Sequence, residues 1–123
     1  MPSAGVYLLS ERGRHLYVGR SGRGLRARIQ GHSRPGATYE TATFAFRLAR
    51  EATGDLQASY KPQGSRRDLA ARPAFRKAFD RAKARIRAMQ VRFVSEPEPI
   101  RQAVLEMYIA VAVGARYNDF DTH

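Results

Sequence analysis

The sequence predicts an α+β domain, a small three-stranded antiparallel sheet flanked by helices. Three observations carry this reading. Two short β-type runs near the N-terminus are separated by a polar turn, four later segments read as helices, and an alternating run between the last two supplies a third strand. At 123 residues the chain has the size of one compact domain, so a single unit over residues 1–123 is expected.

Val6 to Leu9 and His15 to Gly19 form the predicted hairpin, with Ser10-Glu11-Arg12-Gly13-Arg14 between them. Turn length decides which residues share a face. A three-residue loop at Glu11-Arg12-Gly13 pairs Ser10 with Arg14 and sets Tyr7 opposite Tyr17, whereas a two-residue loop at Arg12-Gly13 shifts the register by one and separates the tyrosines. The link Arg20-Ser21-Gly22-Arg23-Gly24 leads into a helix from Leu25 to His32, ended by Ser33-Arg34-Pro35-Gly36. A second helix is expected from Ala42 to Ala52, capped by Thr41, with Phe44, Ala45, Leu48 and Ala52 inward and Gly54 past its end. Asp55 to Arg67 shows no period and reads as a mobile loop, basic through Lys61, Arg66 and Arg67.

From Ala74 to Met89 the apolar residues Phe75, Ala78, Phe79, Ala82, Ile86 and Met89 recur at helical spacing. Arg76, Lys77, Arg81, Lys83, Arg85 and Arg87 then form a cationic exterior. Met89 to Val94 alternates, as a half-buried strand does, with Met89, Val91 and Phe93 on one side. Pro97 and Pro99 break the chain before a last helix from Ile100 to Val113.

The formal net charge of +11 makes nucleic acid the first partner to consider, because cations covering phosphates release condensed counterions. A basic surface that serves solubility, or that docks on an acidic protein or membrane, is the plainer alternative. The absence of Cys excludes disulfides, thiolate metal sites and a cysteine nucleophile. Met1-Pro2-Ser3-Ala4-Gly5 does not have the build of a secretory signal, and Ala103 to Val113 is too short to span a bilayer. A soluble cytoplasmic protein without membrane contact is therefore expected.

Glu106 is the only charged side chain between Arg101 and Arg116, in an otherwise mostly apolar helix. A carboxylate removed from water is paired, protonated or bound to a metal, and on an exposed stripe it is simply solvated. Arg28 and His32 stand four residues apart, on one face of their helix. Taken singly, a surface arginine, a helix-terminal histidine and two strand tyrosines all have ordinary structural readings. The glycine-rich link lacks the endings of nucleotide-binding loops.

Together the residues match a known pattern. Gly5-Val6-Tyr7 and Tyr17-Val18-Gly19, ten residues apart from tyrosine to tyrosine, resemble the paired signatures of the GIY-YIG nucleases, with Val for Ile in each. Leu25 to His32 resembles that family's helix with its Arg and His, and Leu105-Glu106 followed by Tyr117-Asn118 resembles its metal-binding Glu and late Asn. The resemblance implies a metal-dependent endonuclease that hydrolyses phosphodiester bonds in DNA, with RNA also open as a substrate. Its catalytic residues would be Tyr7, Tyr17, Arg28, His32 and Glu106, with Glu106 holding a divalent cation, Mg²⁺ first and Mn²⁺ second, and Gly5, Gly19 and Asn118 supporting the site. Tyr7 would be the general base, and Arg28 would stabilise charge on the phosphoryl oxygens. Arg20, Arg23, Arg26, Lys61, Arg66, Arg67, Arg76 and Lys77 are the cations expected to meet nucleic acid. The competing reading is a non-catalytic nucleic-acid-binding module on the same scaffold. Monomer and homodimer stay open.

Overall fold

The computed structural model describes residues 1–54 and 66–118. Its order is β1 (Gly5–Glu11), β2 (Arg14–Ser21), α1 (Leu25–Gly31), α2 (Thr43–Thr53), α3 (Arg66–Ala71), α4 (Pro73–Arg87), β3 (Gln90–Ser95) and α5 (Pro99–Val113). The strands make one antiparallel sheet in the order β2-β1-β3, so among the described residues this is an α+β fold with a three-stranded sheet and five helices. The chain divides into two compact units, one from Met1–Ile29 with the chain from Ala88 onward, the other Gln30–Arg87.

In the sheet unit, alternation along β1 and β2 sends Val6, Leu8 and Val18 to one face, where they bury against Ala110, Leu105, Ile109 and Val113 of α5. Glu98 caps α5, its side chain accepting from the Arg101 N–H, and Pro99 opens the first turn, where a missing N–H leaves nothing unpaired. Gly114 ends the helix in the left-handed conformation, and its N–H returns to Val111 O. Residues 116–118 then run along the outer edge of β2: the Arg116 N–H donates to His15 O and the Tyr117 N–H to Leu16 O. Asn118 completes the seam, its Oδ1 accepting from Val18 N–H and its Nδ2 donating to Val18 O, both at 2.7 Å. β3 is the other edge, and here the expectation of a half-buried strand is corrected. Val91, Phe93 and Val94 are all exposed, because α5 packs over β1 and β2 and leaves the β3 edge uncovered within this unit.

In the helical unit, Phe46, Ala49, Leu69 and Phe75 form the core, with Tyr39, Ala78 and Phe79 against it. Three expectations change. α2 starts at Thr43 with Ala42 at its cap and no side-chain cap bond, and Ala52 lies outside the buried set. The predicted loop from Asp55 to Arg67 loses its last two residues to α3, which buries Leu69; Asp55 to Ser65, Lys61 among them, lie outside the described residues. Lys83, assigned from its spacing to the cationic exterior, is buried, and its Nζ donates to Pro35 O at 2.7 Å and Ala37 O at 2.9 Å. Its ammonium also lies 4.5 Å from the Phe79 ring centre and 3.5 Å from Asp80. These partners replace the water that a buried ammonium gives up.

Removing that donor strands two carbonyls. Lys83→Met should therefore lower unfolding free energy by about 2 kcal/mol, against no more than ~0.5 kcal/mol for Lys77→Met on the exposed face of the same helix, as read by denaturant titration.

Candidate active site

The hairpin turn has two residues, Arg12 and Gly13, both at positive φ (51° and 78°), the geometry of a type I′ turn. Pairing starts as Glu11 with Arg14 and Ser10 with His15, the register that would put the tyrosines on opposite faces. Between Leu9 and Ser10 it slips by one residue, so that Leu16 is the extra residue on β2, and from there Leu9 faces Tyr17 and Tyr7 faces Gly19. The bulge restores the parity that the short turn removes. Tyr7 and Tyr17 therefore share a face as diagonal neighbours, with ring centres 6.4 Å apart. The direct Tyr7–Tyr17 pairing expected from a three-residue loop is corrected to this offset one.

Two glycines make room. A Cβ on Gly19 would lie 2.3 Å from the Tyr7 hydroxyl oxygen and 2.4 Å from ring Cζ, so the Tyr7 ring lies directly over the bare Gly19 backbone. A Cβ on Gly5 would lie 2.0 Å from Val94 O, which would force β1 away from β3. Both are the glycines singled out in the sequence, and each is required by close approach rather than by a special dihedral.

Arg28 is held by α1, whose start is fixed by Leu25: its side chain is fully buried and its N–H donates to Ser3 O at 3.0 Å. The Arg28 guanidinium donates to the Tyr17 hydroxyl and its charge acts on both phenols. Glu106, on α5, also acts on both phenols, and its carboxylate lies 3.6 Å from Arg20 Nε. Tyr7, Tyr17, Arg28 and Glu106 are thus one electrostatically coupled group within the sheet unit. His32 belongs to the helical unit, where it is fully buried with its ring edge-on to Phe44 at 6.4 Å, not wet at a helix end.

Burial pushes the Tyr7 phenol far above its ordinary range. The neighbouring Tyr17 and Glu106 push the same way, while Arg28 pulls it down. Tyr17 is raised for the same first reason, desolvation, with Arg28 opposing through charge and hydrogen bond. Glu106 is raised by burial against the lowering pull of Arg20. Both tyrosines are therefore neutral donors near pH 7.

Asn118, placed beside the site by sequence, clamps the Val18 backbone between Tyr17 and Gly19. Gln102, one turn before Glu106, was not legible as a site residue. It is buried, its Nε2 donates to Glu96 O, and its Oε1 has no hydrogen-bond partner among the described residues. Among the described residues no cluster of three or more His, Asp or Glu could hold a metal. The donors suit a hydrated Mg²⁺-like cation that takes one carboxylate and keeps most of its waters, rather than a protein cage. Arg23 and Arg26 are exposed in the sheet unit, as are Arg66, Arg67, Arg76 and Lys77 in the helical unit, while Arg20 is engaged with Glu106.

No family model, curated protein or solved structure matches this chain.

Two outcomes follow from this geometry. Gly19→Ala should destabilise by about 1–3 kcal/mol through overpacking, and the loss should shrink in a Tyr7→Ala background, a coupling that a double-mutant cycle measures. The raised Glu106 means that folding favours its neutral form, so this group's stabilisation is full below the ordinary carboxylate range and lost as pH rises through its folded value. Glu106→Gln should accordingly melt higher than the native chain at pH 7 without divalent cations, the gap closing below about pH 4. A variant that melts lower at pH 7 would mean that the Arg20 pair outweighs burial.

Proposed function

We propose that the chain is a GIY-YIG-type endonuclease that hydrolyses phosphodiester bonds in DNA with a divalent cation, Mg²⁺ first, held at Glu106. The observation that carries the reading is the coupling of Tyr7, Tyr17, Arg28 and Glu106 in one unit, with Gly19 left bare so that the Tyr7 ring can lie against β2. A nucleic-acid binder needs arginines but has no use for a partly desolvated carboxylate beside a buried and a half-buried phenol, since an anion there repels phosphate.

The roles follow from charge and donor type. Arg28 presents a planar fork that matches phosphate oxygens, and it already donates to the Tyr17 hydroxyl, so a bound phosphate enters an existing donor set. Tyr17 then donates to the same phosphate and fixes its orientation. Tyr7 is the candidate base, and its neutral state at rest sets a condition on that role. To take the proton of the attacking water Tyr7 must first release its own phenolic proton to solvent, a loss that burial, Tyr17 and Glu106 oppose and Arg28 favours. A divalent cation, when bound, supplies Lewis-acid polarisation of the phosphoryl oxygen and stabilises the leaving oxygen. Arg23 and Arg26 in one unit, and Arg66, Arg67, Arg76 and Lys77 in the other, supply sequence-independent attraction to the backbone.

The test is cleavage of supercoiled, linear and branched DNA, and of RNA, with Mg²⁺, Mn²⁺ or chelator. Glu106→Ala, Tyr7→Phe and Arg28→Met should each lower cutting by at least 10²-fold while circular dichroism stays native. Salt-sensitive binding without cutting in either metal would replace the nuclease with the binding module.

A further inference from the structure

The turn between β1 and β2 holds a residue that its backbone disfavours. A type I′ turn needs positive φ at both central positions, which asparagine and glycine adopt with least strain. Arg12 occupies the first at φ 51°, the one non-glycine residue with positive φ among the described residues. Nothing inside the fold compensates. Arg12 and Arg14 are exposed, and among the described residues no hydrogen bond or ion pair engages either side chain. Gly13 between them is as open, since a Cβ there would meet nothing within 4 Å.

The mounting of this turn is rigid. Ser10 pairs with Gln90 of β3 on one side, the Arg116 N–H donates to His15 O on the other, and Ser10 Oγ lies 2.9 Å from His15 Nδ1 across the hairpin. Glu11-Arg12-Gly13-Arg14 therefore projects past the paired part of the sheet as a blunt tip, with an exposed arginine on each side of a bare glycine.

Resting on the DNA reading above, we infer that this tip is a minor-groove contact, in which Arg12 enters the groove of double-stranded DNA and selects narrow, A·T-rich sequence. Charge and shape choose the groove. An A·T-rich minor groove is narrow and concentrates negative potential, which attracts a guanidinium. The major groove, about 12 Å wide and 8.5 Å deep, takes a helix or a free two-stranded ribbon, and here neighbours on both edges leave no free ribbon behind Glu11 and Arg14. Glu11 stands opposite Arg14 in the register, so its carboxylate offsets that cation and Arg12 leads. The fixed turn also spares the ordering that a flexible arm undergoes on binding. Arg14 precedes Tyr17 on β2 by about 10 Å of strand, which sets the contact roughly three base pairs from the tyrosines.

Fluorescence anisotropy of the full chain with short duplexes in chelator reads binding without cutting. An A·T-rich duplex should bind about 10-fold tighter than a G·C duplex of the same length. A duplex of inosine·cytosine pairs lacks the guanine N2 amino group, so it joins an A·T-like minor groove to a G·C-like major groove, and it should bind as A·T does. Arg12→Asn should erase the preference while raising the melting temperature by about 2–5 °C, opposite signs that an arginine held for structure does not give. Equal affinity for the A·T and G·C duplexes, inosine·cytosine behaving as G·C, a preference that survives in Arg12→Asn, or an Arg12→Asn chain that melts lower would each overturn the inference. Cutting of DNA without A·T preference would leave the nuclease reading and remove this contact alone, whereas A·T-selective binding through Arg12 without cutting would do the reverse.

Discussion

The one-residue slip between β1 and β2 is the constraint on which the rest of the sheet unit depends. The Arg12-Gly13 turn alone would put Tyr17 on the side of Val6 and Leu8, where α5 packs, and would leave Tyr7 without its partner. With Leu16 taken up as the extra residue, Val6, Leu8 and Val18 gather under α5, and Tyr7, Leu9, Tyr17 and Gly19 gather on the other face. The slip also fixes what lies opposite Tyr7. Only a residue without a Cβ fits beneath that ring, so the register and Gly19 are mutually required. Asn118 holds the same stretch from the outer edge by pairing with both backbone groups of Val18. A register shift would break those two bonds, bury a Cβ in the Tyr7 ring and expose the apolar row together.

The electrostatics run against stability in the same place. Tyr7 and Tyr17 give up water for their hydroxyls, and Glu106 keeps a carboxylate in a half-dry position where folding favours its neutral form. Arg28 offsets the first and Arg20 the second, in both cases incompletely. Buried Lys83 in the helical unit makes the contrast plain: its ammonium donates to two carbonyls. Hydrogen bonds meet the desolvation of Lys83, whereas around Tyr7 desolvation outweighs the pull of the neighbouring arginines.

Much of this was legible because periodicity survives folding. The strands, the four main helices and the Gly54 stop follow from alternation, helical spacing and chain-breaking residues. The tyrosine pair was legible as a motif, but its register was not, since a bulge leaves no mark in a sequence where Leu16 reads as an ordinary strand residue. α3 was hidden because six residues, with Leu69 as their one buried side chain, are too few to establish a period. Lys83 was misplaced because its spacing matches the exposed arginines, and only the fold brings Pro35 and Ala37 to its ammonium. The exposure of β3 was hidden as well, since alternation reports a strand's two faces but not whether anything covers them.

α5 shows how a single pattern can conceal separate tasks. Read along the sequence it is an apolar helix interrupted by Glu106. In three dimensions its circumference divides: Leu105, Ile109 and Ala110 hold the sheet, Glu106 couples to Arg20 and the two phenols, and Ile100, Val104, Met107, Tyr108 and Val111 face away from both. The low contrast between inner and outer sides is what makes a hydropathy profile uninformative here, because both sides are apolar for different reasons. One side is apolar because it is already covered. The other stays apolar at the expense of exposing large side chains to water, which a free surface does not need. That division also fixes Glu106 in place, because the inner contacts with the sheet set the rotation of the helix and so the side from which the carboxylate meets Arg20 and the phenols.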